Sequence, residues 1–244
     1  MQVAVLGLGE AGGRLAADLV AAGCAVRGWD PVRPGSAASD LDAVRGADVV
    51  LSVNAASVAL EAASHVVPEL RGDALYADLN TSSPQLKREL AEALPVEFAD
   101  VALIGVVPST GLATPALASG GGAERFAELF RPLGMPVEVV GPYPGDAAGL
   151  KLLRSVFMKG IAAAAIESLE AAKAAGAGER IHAEIAAVLG EPLLERLLTG
   201  SRAHAARRVG EMRAAAAYLE ELGVDPRIAT AAAEWLEDLR PGGA

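Results

Sequence analysis

Over the first 141 positions, short runs of β-branched and aliphatic residues alternate with longer amphipathic stretches. Val3–Leu6 reads as a buried strand, and the 3.6-residue apolar spacing from Glu10 to about Ala22 reads as the helix that follows it. Ala25–Trp29, Ala47–Val53, Leu75–Leu79, Val96–Ile104, Ala116–Ser119 and Val137–Val140 continue the strand pattern. Helical patterns fall between them at Val58–Leu70, Pro84–Ala93 and Ala123–Leu133, with a short one ending at Arg45. This alternation predicts an α/β fold with a doubly wound parallel sheet.

The pattern changes after Pro142-Tyr143-Pro144-Gly145. From Asp146 to Ala175 the chain has no proline and is apolar on most faces, which predicts one helix of about 30 residues, roughly 45 Å long. A helix of that character is expected to be buried between the sheet domain and other helices, including those of a second subunit. Gly178–Val188, Pro192–Leu198, Ser201–Leu222 and Asp225–Leu239 are helical in pattern, and no strand signal follows residue 141. The predicted domains are therefore 1–143, built on the sheet, and 144–244, all-helical and opened by the long helix.

Composition narrows the class. Hydrophobic residues make up 52% of the 244 and mean hydropathy is +0.34, but no apolar run is long enough to span a bilayer. The chain opens directly on its first strand, so a cytoplasmic protein without a cleavable leader is expected. A net charge of −10 argues against nucleic acid as a partner. Cys24 stands alone and reads as a structural thiol. His65, His182 and His204 lack metal-ligand spacing, so no metal is expected.

The chemistry begins at the first strand-to-helix junction, Gly7-Leu8-Gly9-Glu10-Ala11-Gly12. Gly7 permits the tight turn, Gly9 lets a pyrophosphate approach the backbone and Gly12 lets helix and strand pack closely. The helix N-terminus supplies amides and the positive dipole end for phosphates. The second strand ends in Asp30, roughly 20 residues on, where a carboxylate is placed to accept from a ribose 2′-hydroxyl. This is a Rossmann-type dinucleotide fingerprint in its proper context. Asp30 favours NAD, whereas Arg33 offers a cation for the 2′-phosphate of NADP. Val53 and Asn54, at the carboxyl end of the third strand, lie where such sheets bind ligands.

Two later segments carry polar groups out of the sheet. Asp78-Leu79-Asn80-Thr81-Ser82-Ser83-Pro84 ends one strand and starts a helix, with Ser82 or Ser83 as cap, Pro84 at the first helical position, and Asn80 and Thr81 as candidate substrate contacts. The long helix opens with Gly145-Asp146-Ala147-Ala148-Gly149-Leu150-Lys151-Leu152-Leu153-Arg154-Ser155.

With these motifs in hand, the chain resembles the β-hydroxyacid dehydrogenase superfamily, which includes 3-hydroxyisobutyrate and 6-phosphogluconate dehydrogenases. The glycine motif is similar to the family's Gly-Leu-Gly-x-Met-Gly with Ala11 for methionine, and Asp78–Pro84 is similar to Asp-x-Ser-Thr-x-x-Pro with Asn80 for serine. Asp100–Val106 resembles Asp-x-Pro-Val-Ser-Gly-Gly, with Ile104 and Val106 replacing the serine and a glycine, which suggests a larger or partly apolar substrate. The resemblance implies that Lys151 is the catalytic lysine. Ser155, one turn further on the same face, stands in place of an asparagine as a substrate contact. It also implies a divergent branch with its own short C-terminal helical domain.

A lysine suits alcohol oxidation, because a base must remove the hydroxyl proton as hydride leaves and must return it in reverse. Burial among apolar residues would favour the neutral amine that this needs. Lys159, two turns on, is a candidate for an anionic substrate group or a salt bridge. The leading expectation is an NAD(P)-dependent dehydrogenase acting on CH–OH groups of a small molecule, with NAD as cofactor and NADP possible. The apolar helical domain predicts a homodimer. The alternatives are an imine or other C=X reductase, which the lysine disfavours, and a non-catalytic dinucleotide-binding or redox-sensing protein.

Overall fold

A computed structural model describes residues 1–240. The elements run β1 (Gln2–Leu6), α1 (Glu10–Ala21), β2 (Ala25–Trp29), α2 (Asp40–Val44), β3 (Val49–Ser52), α3 (Ala59–Val66), β4 (Leu75–Asp78), α4 (Pro84–Ala93), β5 (Glu97–Leu103), α5 (Val107–Thr110), β6 (Ala116–Ser119), α6 (Ala123–Phe130) and β7 (Val137–Gly141). Five helices follow: α7 (Asp146–Ala174), α8 (Gly178–Leu189), α9 (Glu191–Ala203), α10 (Ala205–Glu221) and α11 (Arg227–Asp238). The chain divides into two compact units, Met1–Lys151 and Leu152 onward.

In the first unit the seven strands lie in the order β2-β1-β3-β4-β5-β6-β7. The two-residue period of each strand sends alternate side chains to opposite faces. Val3 and Val5 of β1 join Leu15 and Leu19 of α1 and Phe126 and Phe130 of α6 in one buried layer. Ala4 and Leu6 join Val44, Ala63, Val66 and Leu90, from α2, α3 and α4, in the other. The sheet is thus covered on both faces, as a doubly wound arrangement requires.

The α/β fold class is as expected and most strand pairs are parallel, with one departure. The sheet is not parallel throughout, because β6 runs antiparallel to β5 and β7 follows the direction of β6. Between β5 and β6 the chain forms only the single turn α5 and a 3-10 turn, Gly111–Ala113, so it doubles back instead of crossing over through a full helix. Between β6 and β7, α6 does provide that crossover, and the pair is parallel.

The second unit is helical. Leu152 of α7 packs in a buried cluster with Val209, Met212 and Ala215 of α10 and Ala229, Ala232 and Leu236 of α11. The long helix is buried on one side only: Phe157 is 65% exposed and Leu153 38%. No helix among the described residues is long and apolar enough to cross a membrane.

Candidate active site

The glycine turn is shaped by steric necessity. Gly7 has φ +100°, and a Cβ there would lie 2.4 Å from the carbonyl oxygen of Val53. At Gly12 a Cβ would meet the Gly7 carbonyl oxygen at 1.9 Å and the Val53 side chain at 3.3 Å. Both positions hold α1 against the ends of β1 and β3. Around Gly9 the situation reverses: a Cβ would find nothing within 4 Å. Gly9 also caps α1 without a side-chain hydrogen bond, so no side chain takes the first-turn amides that a helix N-terminus leaves without intrahelical partners. Open space above uncapped helical amides fits a bound pyrophosphate. Glu10 itself is exposed and Ala11 half-buried.

Asp30 is tied to this turn. Its Oδ2 accepts from the Leu8 amide at 2.8 Å, and its Oδ1 accepts from the amides of Val32 and Arg33, each at 2.9 Å. Burial works to raise the carboxyl pKa, but these three amides and the Arg33 charge together hold it below the ordinary carboxylate value. Asp30 thus sets a negative charge beside the loop. The Arg33 side chain is exposed.

The ends of β3 and β4 meet in a cluster of amides and hydroxyls. Asn80 is only 6% exposed, and its Nδ2 donates to Asn54 Oδ1 (2.8 Å), Ser52 Oγ (3.0 Å) and Asp78 Oδ1. Its Oδ1 is buried with no hydrogen-bond partner. A buried acceptor in that state is costly alone, and a ligand N–H or O–H would satisfy it. Ser83 caps α4 by accepting from the Leu86 amide, with Pro84 first in the helix, as expected. Thr81, released by that cap, accepts a 2.8 Å hydrogen bond from Lys151 Nζ.

Beneath this cluster lies a feature that motif reading missed. Asp78 and Asp100 are register partners on β4 and β5, both fully buried. Opposed like charges repel unless a cation separates them. Lys87 of α4, also fully buried, supplies it: Nζ lies 2.7 Å from Asp78 Oδ2, 2.9 Å from Asp100 Oδ1, and donates to the Asp78 carbonyl oxygen at 2.8 Å. Burial alone would push Lys87 toward neutrality, but Asp100 and Asp78 outweigh it and the pKa rises. Asp100 Oδ2 further accepts from the amides of Ala148 (2.9 Å) and Gly145 (3.2 Å) at the start of α7. Ser119 donates to the same oxygen and accepts from the Ala147 amide. The carboxylate anchors the helical turn that carries Lys151. One signal was available in the sequence: Lys87 sits between Pro84 and Leu90 on the buried stripe of α4.

The sequence candidates thus fall into three groups. Gly7, Leu8, Gly9, Glu10, Ala11, Gly12, Asp30, Arg33 and Val53 surround the glycine turn. Asn54 joins Asn80, and Thr81 joins Lys151, at the carboxyl ends of β3 and β4. Ser155 lies in the helical unit, where its hydroxyl donates to Glu211 Oε1 and accepts from Lys159 Nζ.

Residues 2–133 match the NAD binding domain of 6-phosphogluconate dehydrogenase, and residues 172–239 match a domain of unknown function, DUF1932. A conserved protein of unknown function, whose structure revealed similarity with 3-hydroxyacid dehydrogenases, is 30% identical; the match covers 98% of this chain and 96% of that one, with a TM-score of 0.75. The 3-hydroxyisobutyrate dehydrogenase of Mycobacterium tuberculosis, solved with L-serine, shares the fold with a TM-score of 0.79 at 20% identity, covering 96% and 91% of the two chains. An imine reductase variant from Myxococcus stipitatus, solved with NAD+, does so with a TM-score of 0.64 at 20% identity, covering 97% and 92%.

Proposed function

Because the chain belongs to the family of the 6-phosphogluconate dehydrogenase NAD binding domain, we propose that it is an oxidoreductase moving a hydride between NAD and a hydroxyacid or related alcohol, with Lys151 as acid and base. When bound, the nicotinamide supplies the hydride acceptor or donor. The observation that supports the reading most is the 2.8 Å hydrogen bond from Lys151 to Thr81, which joins the lysine motif to the Asp78–Pro84 motif.

In the oxidative direction the substrate C–H leaves as hydride and the hydroxyl proton passes to Lys151 Nζ. Thr81 Oγ1 takes one N–H and so orients the amine, leaving the nitrogen lone pair of its neutral form for the proton. The buried Oδ1 of Asn80 is the acceptor for a substrate or carboxamide donor, and three acceptors around Nδ2 prevent the amide from turning away. Asp30 selects NAD over NADP through the charge it sets beside the ribose site.

The test is a fluorescence titration with NADH and NADPH, followed by turnover with a panel of hydroxyacids. Lys151→Ala is expected to keep cofactor affinity within about twofold and to lose about 100-fold or more in turnover. Preserved turnover ends the assignment of Lys151. We also propose that two copies associate through the apolar face of α7 that bears Leu153 and Phe157; a monomer alone at micromolar concentration in sedimentation refutes it.

A further inference from the structure

The helical unit contains a second charged cluster that the proposed hydride chemistry does not use. Lys159 of α7, its side chain 14% exposed, lies 2.7 Å from Glu211 Oε1 and donates to Ser155 Oγ at 3.0 Å. From α10, Arg207 Nη1 lies 3.8 Å from Glu211 Oε2. Arg208, on the same helix, reaches α9, where Nη1 donates to Ser201 Oγ at 3.1 Å. That acceptor is neutral, and its own proton goes to the Leu197 carbonyl.

Three cations therefore surround one carboxylate, in a protein whose net charge is −10. Burial lowers the Lys159 pKa despite Glu211, and it lowers that of Arg208, with Arg207 pushing the same way. The cluster is short of negative charge. The guanidinium lies over Gly200 of α9, where a Cβ would come within 2.7 Å of Arg208 Nη2. A guanidinium has five donors in a planar fork suited to carboxylate or phosphate.

We propose that Lys159, Arg207 and Arg208 form an oxyanion-binding site of the helical unit, taking the carboxylate or phosphate group of a small molecule, with Glu211 holding the cations in place when no ligand is bound. The site stands independently of the role given to Lys151.

The full chain is held at saturating NAD, so that the glycine turn is filled, and its thermal midpoint is followed with inorganic phosphate, with acetate, and with sodium chloride at matched ionic strength. At least one oxyanion is expected to raise the midpoint saturably by about 3 °C beyond chloride. Arg208→Gln is expected to abolish that rise, while Arg180→Gln, which removes an exposed charge elsewhere in the unit, preserves it. An equal rise in chloride, a rise that survives Arg208→Gln, or its loss in Arg180→Gln overturns the proposal. If Arg208→Gln does not fold, Arg207→Gln, at a side chain 64% exposed, is expected to weaken the apparent affinity about threefold, and an unchanged affinity overturns it.

Discussion

The two units each bury a lysine among charged partners, and the lysines respond in opposite ways. Around Lys87 one cation faces two carboxylates, and the remaining oxygen lone pairs take Ser119, Asn80 and backbone amides. Every group there meets an opposite charge or a dipole, so the ammonium is held charged. Around Lys159 the proportion is reversed, and desolvation outweighs the single carboxylate. A closed network stiffens what it touches, whereas an open one has unmet demand for an anion. The first suits an anchor beneath the helix turn that carries Lys151, the second the oxyanion site proposed above.

The largest test of this contrast is Lys87→Met. It leaves Asp78 and Asp100 buried and facing each other, and is expected to cost about 3–5 kcal/mol in denaturant unfolding; a loss below about 1 kcal/mol would show that the network is not closed as described. Glu211→Gln is expected to cost less, about 2 kcal/mol, because its cations are partly solvated. Phosphate should restore more stability to that variant than to the parent, and equal restoration would break the contrast. Ser119→Ala comes next, at about 1 kcal/mol, since the Ala147 amide loses its acceptor. Turnover should fall further than stability explains, and a proportionate fall would remove Ser119 from the positioning of Lys151.

The smallest effect is the pH dependence. The folded-state pKa of Lys159 is lowered, so between that value and its ordinary 10.5 the unfolded chain binds more protons and stability rises with pH. Lys87 has the opposite sign: its contribution is whole below 10.5 and is lost only as pH climbs through its raised folded value. Lys159→Met should therefore flatten the rise in stability on the alkaline side, and an unaltered slope would contradict the lowered pKa.

Much of this molecule was legible in its sequence. The strand and helix alternation, the glycine turn, a serine cap ahead of Pro84 and the long helix all follow from local periodicity and backbone sterics. The family motifs led to Lys151 and Thr81, which meet in the fold although 70 positions separate them. The expectation of a buried long helix was half right, since hydropathy measures how apolar α7 is and not which of its faces finds a neighbour.

What the sequence alone determined was therefore the set of elements and the cofactor class, because each depends on residues within a few turns of one another. Only the tertiary structure decided the reversal of β6, which depends on how the chain folds back between strands. It alone also decided which lysine is sealed. Lys87 and Lys151 are the same residue type, each on a helix, and what separates them is the β4–β5 register that brings Asp78 and Asp100 together beneath Lys87. The compensation of a buried charge comes from groups distant in sequence, and no local pattern records their meeting.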